Sequence, residues 1–131
     1  MKTRTMLPVL ATAALALTLT GCGSPATQIA GSIVVPSQYR SENGCLPEDG
    51  YDDVFTGTQV TVKDGAGKIL GTGDLDYDET SPGNTESHCE FVFDFTVSSA
   101  AFYEIEVAHR GSLTYSAEEL SEGPLRFSLG D

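Results

Sequence analysis

The chain has 131 residues, a length that suits one domain with a single modest core. It carries nineteen acidic and seven basic residues, which gives a formal net charge of −12 at pH 7. Because a surface of that sign repels phosphate, the composition argues against a nucleic-acid-binding protein and favours cations or basic proteins as partners. The alternative is an acidic surface that serves only to keep the protein in solution.

Residues 1–21 have the three parts of a signal peptide. A basic start with Lys2 and Arg4 precedes an apolar run at 6–19, and small residues follow as far as Gly21. The apolar run is short for a permanent membrane-spanning helix. We therefore expect residues 1–21 to be removed on export, which leaves five basic and nineteen acidic residues and a net charge of −14.

The tetrapeptide Leu19-Thr20-Gly21-Cys22 resembles the lipobox of bacterial lipoproteins. The resemblance implies cleavage just before Cys22, with covalent diacylglycerol and a fatty acid on that residue. It also implies a lipid anchor in the cell membrane, on the extracytoplasmic side. Residues 22–27 are then a short lipidated leash before a domain at 28–131. An ordinary signal peptide that is cut nearby is the alternative.

Two further cysteines, Cys45 and Cys89, remain once Cys22 is acylated. Disulfides persist in the oxidising compartment that an exported protein enters, so we expect these two residues to pair. A loop of this length gives a stabilisation of about 4 kcal/mol in the chain-entropy model. Two free thiols are the alternative.

The rest of the chain alternates apolar and polar residues with the period of a β-strand. A glycine-rich turn within residues 58–73 predicts a hairpin there. Ser116 and Glu119 suit a capping box for one helical turn through Leu120. Six to eight strands with frequent turns predict an all-β fold, a small antiparallel β-sandwich. The predicted strands lie at residues 28–36, 58–63, 69–73, 89–97, 102–110, 112–116 and 125–129.

Two of these strands give a clear prediction of which side chains face the core. In the strand at 89–97, Cys89, the phenylalanines and Val97 fall on the inward face, while Glu90 falls on the outward face with Asp94 and Thr96. In the strand at 102–110, His109 follows the inward register and is predicted to lie at the edge of the core.

The hairpin and a late strand carry a resemblance to a known family. Residues 60–70 follow the pattern Val-x-Val-x-Asp-x-x-Gly-x-x-Leu, and Tyr103 and Val107 form a later Tyr-x-x-x-Val. In these features residues 31–129 resemble the transthyretin-like and carboxypeptidase-regulatory-like β-sandwiches. The segments GYDD, GTQVTV and RGSLTYS are similar to those of short lipoproteins of actinobacteria. The resemblance implies an immunoglobulin-like or transthyretin-like sandwich in the cell envelope, acting as an accessory or recognition module, although fold alone does not fix function.

Two acidic segments, residues 48–53 and 74–86, interrupt the predicted strands. A disulfide between Cys45 and Cys89 would draw the ends of these segments together. Carboxylates that converge from two loops suit calcium, which takes roughly six to eight oxygen ligands in irregular geometry.

The predicted calcium ligands are Asp74, Asp76, Asp78 and Glu79, whose spacing resembles the start of an EF-hand loop. The sequence departs from that loop where glycine is required, because Glu79 occupies the sixth position. The twelfth position is Thr85 instead of glutamate. The alternative is that the three aspartates line the solvent face of a strand.

We do not expect an enzyme, and no catalytic residue is predicted. The sequence holds no zinc-protease, serine-hydrolase or phosphate-binding motif, and the cysteines are expected to be acylated or bridged. His88 lies in a polar segment and is expected to be solvated. Tyr39, Tyr51 and Tyr115 are candidates for an exposed aromatic patch, or for packing at the ends of the sandwich.

The sequence therefore predicts a lipid-anchored, extracytoplasmic β-sandwich that binds an envelope protein or assists one, without a cofactor. Its rivals are a surface protein that binds calcium or another cation through residues 48–53 and 74–86, a hydrolytic role that requires a cleft joining His109 or His88 to a carboxylate, and an inert structural spacer.

Overall fold

The computed structural model describes residues 23, 25–41 and 44–130 of the chain. The predicted signal peptide and Cys22 lie outside the described residues. No helix in the described residues is both long and apolar enough to cross a membrane.

The described residues form nine β-strands and one short helix. The strands are β1 (Ala26–Ser41), β2 (Gly44–Pro47), β3 (Gln59–Asp64), β4 (Ile69–Asp74), β5 (Asp76–Tyr77), β6 (His88–Ser98), β7 (Phe102–Val107), β8 (Ser112–Ser116) and β9 (Leu125–Ser128). The helix α1 (Ala117–Ser121) is capped as predicted, because Ser116 and Glu119 form a capping box.

The strands form two sheets, which confirms the prediction of an all-β sandwich. The first sheet has the order β2-β1-β6-β5, and β9 pairs with β1 in parallel. The second sheet has the order β4-β3-β7-β8 and is antiparallel throughout. The core lies between the sheets and is built of side chains that alternate along β1, β3, β6 and β7.

The two ends of the sandwich carry different parts of the chain. At one end, which we call the leash end, Ser99 donates its N–H to the Pro25 carbonyl, and the Thr27 hydroxyl lies 2.8 Å from the buried Tyr103 hydroxyl. The β3–β4 turn at residues 64–68 and the start of α1 also lie there. The opposite end, the loop end, holds both acidic segments, the end of β1 with β2, and the β7–β8 turn.

The two sheets pack closely where glycines of β4 face β6. Gly71 and Gly73 of β4 lie against Val97 and Phe95 of β6. A Cβ on Gly71 would lie 2.8 Å from Val97 Cγ1, and one on Gly73 would lie 2.6 Å from two atoms of the Phe95 ring. The absence of side chains on this face of β4 lets the two sheets approach closely.

The sequence prediction missed part of the strand content. β1 begins at Ala26, within the predicted leash, and continues past Pro36 to Ser41. Pro36 does not end the strand because its carbonyl accepts a hydrogen bond from Glu48 N, while the next residue, Ser37, donates to Ser87 O. The short strand β2 was not predicted, and β5 was predicted only as the alternative to a calcium site; with them the described residues hold nine strands instead of the expected six to eight.

The predicted inward position of His109 is wrong. β7 ends at Val107, and Ala108 and His109 form the turn to β8 with φ angles of 53° and 58°. This left-handed pair reverses the chain before the strand register reaches His109, whose side chain is 92 % exposed.

Candidate functional site

A disulfide joins the two acidic segments at the loop end, as predicted. Cys45 of β2 is bonded to Cys89 of β6, with the two Cα atoms 5.7 Å apart. Residues 48–53 follow Cys45 directly, and residues 74–86 end just before Cys89. The disulfide therefore holds the start of residues 48–53 close to the end of residues 74–86.

The four predicted calcium ligands do not converge. Leu75 is buried and Tyr77 is half-buried, whereas Asp74, Asp76 and Asp78, which alternate with them, are exposed to solvent. Asp76 Oδ1 accepts from Tyr77 N at 2.9 Å, and Asp78 Oδ1 accepts from Thr80 N and Oγ1 at 2.9 and 2.6 Å. These Thr80 hydrogen bonds lower the pKa of Asp78. Across the described residues, no group of three or more histidine, cysteine, aspartate or glutamate side chains is placed to hold a metal ion.

The second acidic segment is fastened to the outer face of the first sheet by Glu90. Its carboxylate accepts from Gly83 N at 2.6 Å and from Arg126 Nη1 at 3.1 Å, and its own N–H donates to Asn84 Oδ1 at 2.8 Å. The predicted exposure of Glu90 is wrong, since only 3 % of the residue is accessible. The reason is that residues 82–84 cover this face of β6, which a pattern of period two does not reveal.

Arg40 fixes the same segment from the side of β1. Its guanidinium donates to Asn84 O at 3.1 Å, to Glu79 O at 3.4 Å and to the Tyr77 hydroxyl at 3.3 Å. Around it lies an open concavity of about 680 Å³, lined by Gln38, Tyr39, Arg40, Ser41, Glu79, Thr80 and Glu86. The exposed Tyr39 ring faces Leu46 across the β1–β2 pair, and both side chains are more than half exposed.

The first acidic segment is held by Arg110 from the β7–β8 turn. Arg110 forms a bidentate ion pair with Asp53 and also donates to the Gly50 carbonyl at 2.5 Å. Its guanidinium carbon lies 5.0 Å from the centre of the Tyr51 ring, in a cation–π contact. The hydrogen bond from Arg110 holds the pKa of Asp53 below its ordinary value, and the same bond raises the pKa of Arg110. The turn and the acidic segment therefore form one unit.

The histidines make only surface contacts. His88 Nδ1 lies 3.0 Å from Ser87 Oγ, and His109 Nδ1 lies 3.1 Å from Glu106 Oε1. Glu106 also accepts from Lys63 Nζ at 3.2 Å, and this bond is the main reason that its pKa is lowered. Neither histidine lines one of the concavities described here.

The three tyrosines proposed as an aromatic patch have separate neighbours. Tyr51 packs beneath Arg110, Tyr115 packs edge-on against Phe127 at 6.3 Å, and Tyr39 is exposed on β1. They do not form one surface.

An apolar groove between β8 and β9 was not foreseen from the sequence. It has a volume of about 220 Å³ and is lined mainly by Ile33, Ile105, Val107, Leu113, Phe127 and Leu129. Leu113 points into it and is still 54 % exposed. The sequence signal that was available is the uncharged run Ser-Leu-Thr-Tyr-Ser at 112–116 in an otherwise charged chain.

No protein-family model, curated protein or solved structure matches the chain. The resemblance to transthyretin-like and carboxypeptidase-regulatory-like sandwiches therefore stays a prediction.

Proposed function

We propose that the protein is a lipid-anchored, extracytoplasmic binding module without catalytic activity, which engages an envelope protein through the acidic segments of its loop end. Diacylglycerol and a fatty acid on Cys22 hold it to the cell membrane. The segments concerned are residues 48–53 and 74–86.

The observation that carries the proposal is that the acidic segments lie at the end of the sandwich opposite to the start of β1. β1 begins at Ala26 at the leash end, and it reaches Pro36, beside Glu48, after a rise of about 33 Å. From Cys22 to Ala26 the chain extends at most about 14 Å. A lipid on Cys22 would thus keep the leash end near the membrane and present the acidic segments away from it.

This orientation suits the charge of the chain. Anionic lipid headgroups repel carboxylates, so acidic segments gain from distance to the bilayer. The same carboxylates attract a basic protein surface and speed its approach. A module of this kind needs no cleft for a small substrate.

The acidic segments are also held in fixed positions before any partner binds. The Glu90 carboxylate and Arg40 tie residues 74–86 to the first sheet, and Arg110 ties Asp53 to the β7–β8 turn. The disulfide joins the two strands next to these segments. A loop that is already ordered loses less conformational entropy on binding. This supports a recognition surface more than an inert spacer.

The anchor is tested by Cys22→Ala. We expect the variant to leave the membrane fraction and appear in soluble form outside the cytoplasm. Membrane association that persists in this variant contradicts the lipid anchor, whatever the loop end does.

The binding surface is tested by chemical crosslinking on living cells with two charge-matched double variants. Asp49→Asn with Glu86→Gln changes two exposed carboxylates at the loop end that form no hydrogen bond or ion pair with a described residue. Glu118→Gln with Glu122→Gln makes the same charge change at the leash end. We expect only the first pair to reduce capture of partner proteins. Equal capture by both pairs, or no specific capture by the native protein, refutes the proposal and favours a spacer.

A further inference from the structure

β8 differs from the other edge strands because it contains no charged residue, proline or glycine. An unprotected strand edge is a template for a further strand, and proteins usually block such edges with charges, proline, glycine-linked bulges or short length. The other strands at sheet edges carry such features: Gly44 and Pro47 in β2, Gly71, Gly73 and Asp74 in β4, Asp76 in the two-residue β5, and Arg126 in β9. β8 consists of Ser, Leu, Thr, Tyr and Ser.

The hydrogen-bond register shows which backbone groups of β8 are open. Ala117 N donates to Ala101 O, so these two residues form a hydrogen-bonded pair of the antiparallel ladder. Because hydrogen-bonded pairs recur at every second residue, Tyr115 and Leu113 also direct their N–H and C=O groups towards β7. Ser112 and Thr114 direct theirs away from it. No described residue bonds the N–H or C=O groups of these two residues.

The open edge ends at a defined point. Ser116 N, the next outward N–H, donates to Glu119 Oε2 at 2.7 Å in the capping box of α1. The capping box therefore occupies the N–H group of Ser116, and the backbone groups of Ser112 and Thr114 are the part of the β8 edge that can pair with another strand.

A strand added beside β8 would direct alternate side chains into the apolar groove. Leu113 and Tyr115 face the interior of the sandwich, so the inward side chains of a neighbouring strand lie over the groove that Leu113 and Phe127 line. At about 220 Å³ the groove is smaller than typical small-molecule sites, which hold roughly 300–1,000 Å³. Its size suits one or two aliphatic side chains.

The outward side chains of an added strand would lie on the acidic outer face of the second sheet. Glu104 and Glu106 of β7 lie on this face, directly across from Thr114 and Ser112. Lys63 of β3 lies opposite Glu104 but forms its ion pair with Glu106, so the half-buried Glu104 has no ion pair with a described residue. A second copy of this chain would instead bring its own carboxylates and a net charge of −12 or more negative to the same edge.

We propose that the β8 edge binds an extended segment of a partner protein, in which aliphatic residues alternate with lysine or arginine, by adding it as a fifth strand to the second sheet. The inference rests on the proposed binding role and names a docking element apart from the acidic segments. Backbone hydrogen bonds to Ser112 and Thr114 hold the segment, and the groove and Glu104 select its side chains.

The test uses the full chain purified from cells and a short synthetic peptide in which lysine and valine alternate. Binding is followed by fluorescence anisotropy, and the amide signals of Ser112 and Thr114 are followed by NMR and hydrogen exchange. We expect saturable binding with shifts and protection at these two amides. A peptide in which glutamate and valine alternate is expected not to bind.

Two variants at one position isolate the edge. Thr114→Pro removes an outward N–H without removing a hydrogen bond to β7, and should weaken binding about ten-fold. Thr114→Val keeps the N–H and should bind as the native protein does. If the proline variant does not fold, Leu113→Ala, which opens the half-exposed wall of the groove, is expected to weaken binding instead.

Several outcomes would overturn the inference. They are equal binding by the proline and valine variants, protection at other residues, binding of the glutamate peptide, and no binding at all. A dimer of the native chain that Thr114→Pro dissolves would assign the edge to a second copy and refute the basic partner. If cellular capture depends on Asp49 and Glu86 but not on Thr114, the proposed function stands and this inference fails.

Discussion

Replacement of Gly73 by alanine should test how the two sheets are closed against each other. A Cβ at this position would lie 2.6 Å from the Cγ and Cε1 atoms of the Phe95 ring, far inside van der Waals contact. Phe95 is half-buried beside Phe93, with 6.3 Å between the ring centres, and the overlap includes Cγ at the base of the ring, so a movement of the ring tip alone does not relieve it. Overpacking of this kind costs about 1–3 kcal/mol, and a clash with a ring places Gly73→Ala near about 3 kcal/mol.

The structure provides a graded series for this prediction. A Cβ on Gly71 would lie 2.8 Å from Val97 Cγ1, which is a milder overlap with a smaller group. A Cβ on Gly65 would have no neighbour within 4 Å, and the backbone there does not require glycine. Gly71→Ala should therefore destabilise less than Gly73→Ala, and Gly65→Ala should be neutral or stabilising by about 0.5 kcal/mol.

The measurement is urea and thermal unfolding of all three variants with the disulfide intact. For a domain of this size about 3 kcal/mol corresponds to a fall of roughly 10–20 °C in Tm. A double variant, Gly73→Ala with Phe95→Leu, should lose less stability than the sum of the two single changes, because the smaller side chain removes the clash. If Gly73→Ala unfolds within about 0.5 kcal/mol of Gly65→Ala, or if the double variant is strictly additive, the proposed close approach of the sheets is wrong.

Three further predictions concern the loop end. The pKa of Asp53 is lowered in the folded state, so its ion pair stabilises the protein fully above the ordinary aspartate pKa of 3.8, and this stability is lost as the pH falls through the lower folded pKa. Arg110→Leu should abolish that part of the dependence of Tm on pH. A variant whose Tm depends on pH in the same way as that of the native protein contradicts this prediction. His109→Gly should raise stability by about 0.5–1 kcal/mol by relieving a left-handed φ of 58°, and a lower Tm would show that the turn is not strained. Reduction of the Cys45–Cys89 disulfide should add two hydrogens to the intact mass and lower stability by about 4 kcal/mol, and a Tm unaffected by reductant would contradict this.

The sequence predicted the inward-facing residues well where one face of a strand is covered by the opposite sheet. Cys89, Phe91 and Phe93 are buried as expected, and the hairpin of β3 and β4 has its turn where glycine permits it. Side-chain alternation carries this information because each of these strands has one face on the core. The pairing of Cys45 with Cys89 was predicted on other grounds, from the two cysteines left in an oxidising compartment, and these residues are bonded.

The failures arose where a loop or a turn decides the environment. Glu90 has the register of an exposed residue but is buried by residues 82–84, a contact that depends on tertiary structure. His109 has the register of a buried residue but lies in a turn built from Ala108 and His109, which lacks the Asn-Gly or Asp-Gly pair that marks such turns in a sequence. The groove beside β8 depends on how far β8 lies from β9 in the sandwich, which strand periodicity does not specify.

The covalent link between β2 and β6 would also separate two states of the chain if the protein is exported as proposed. Thiols stay reduced in the cytoplasm, so a precursor there would carry Cys45 and Cys89 as free thiols, and its unfolded state would be less constrained. The closed loop, and the stability that it adds, would form only in an oxidising compartment, so that compartment and conformation would change together.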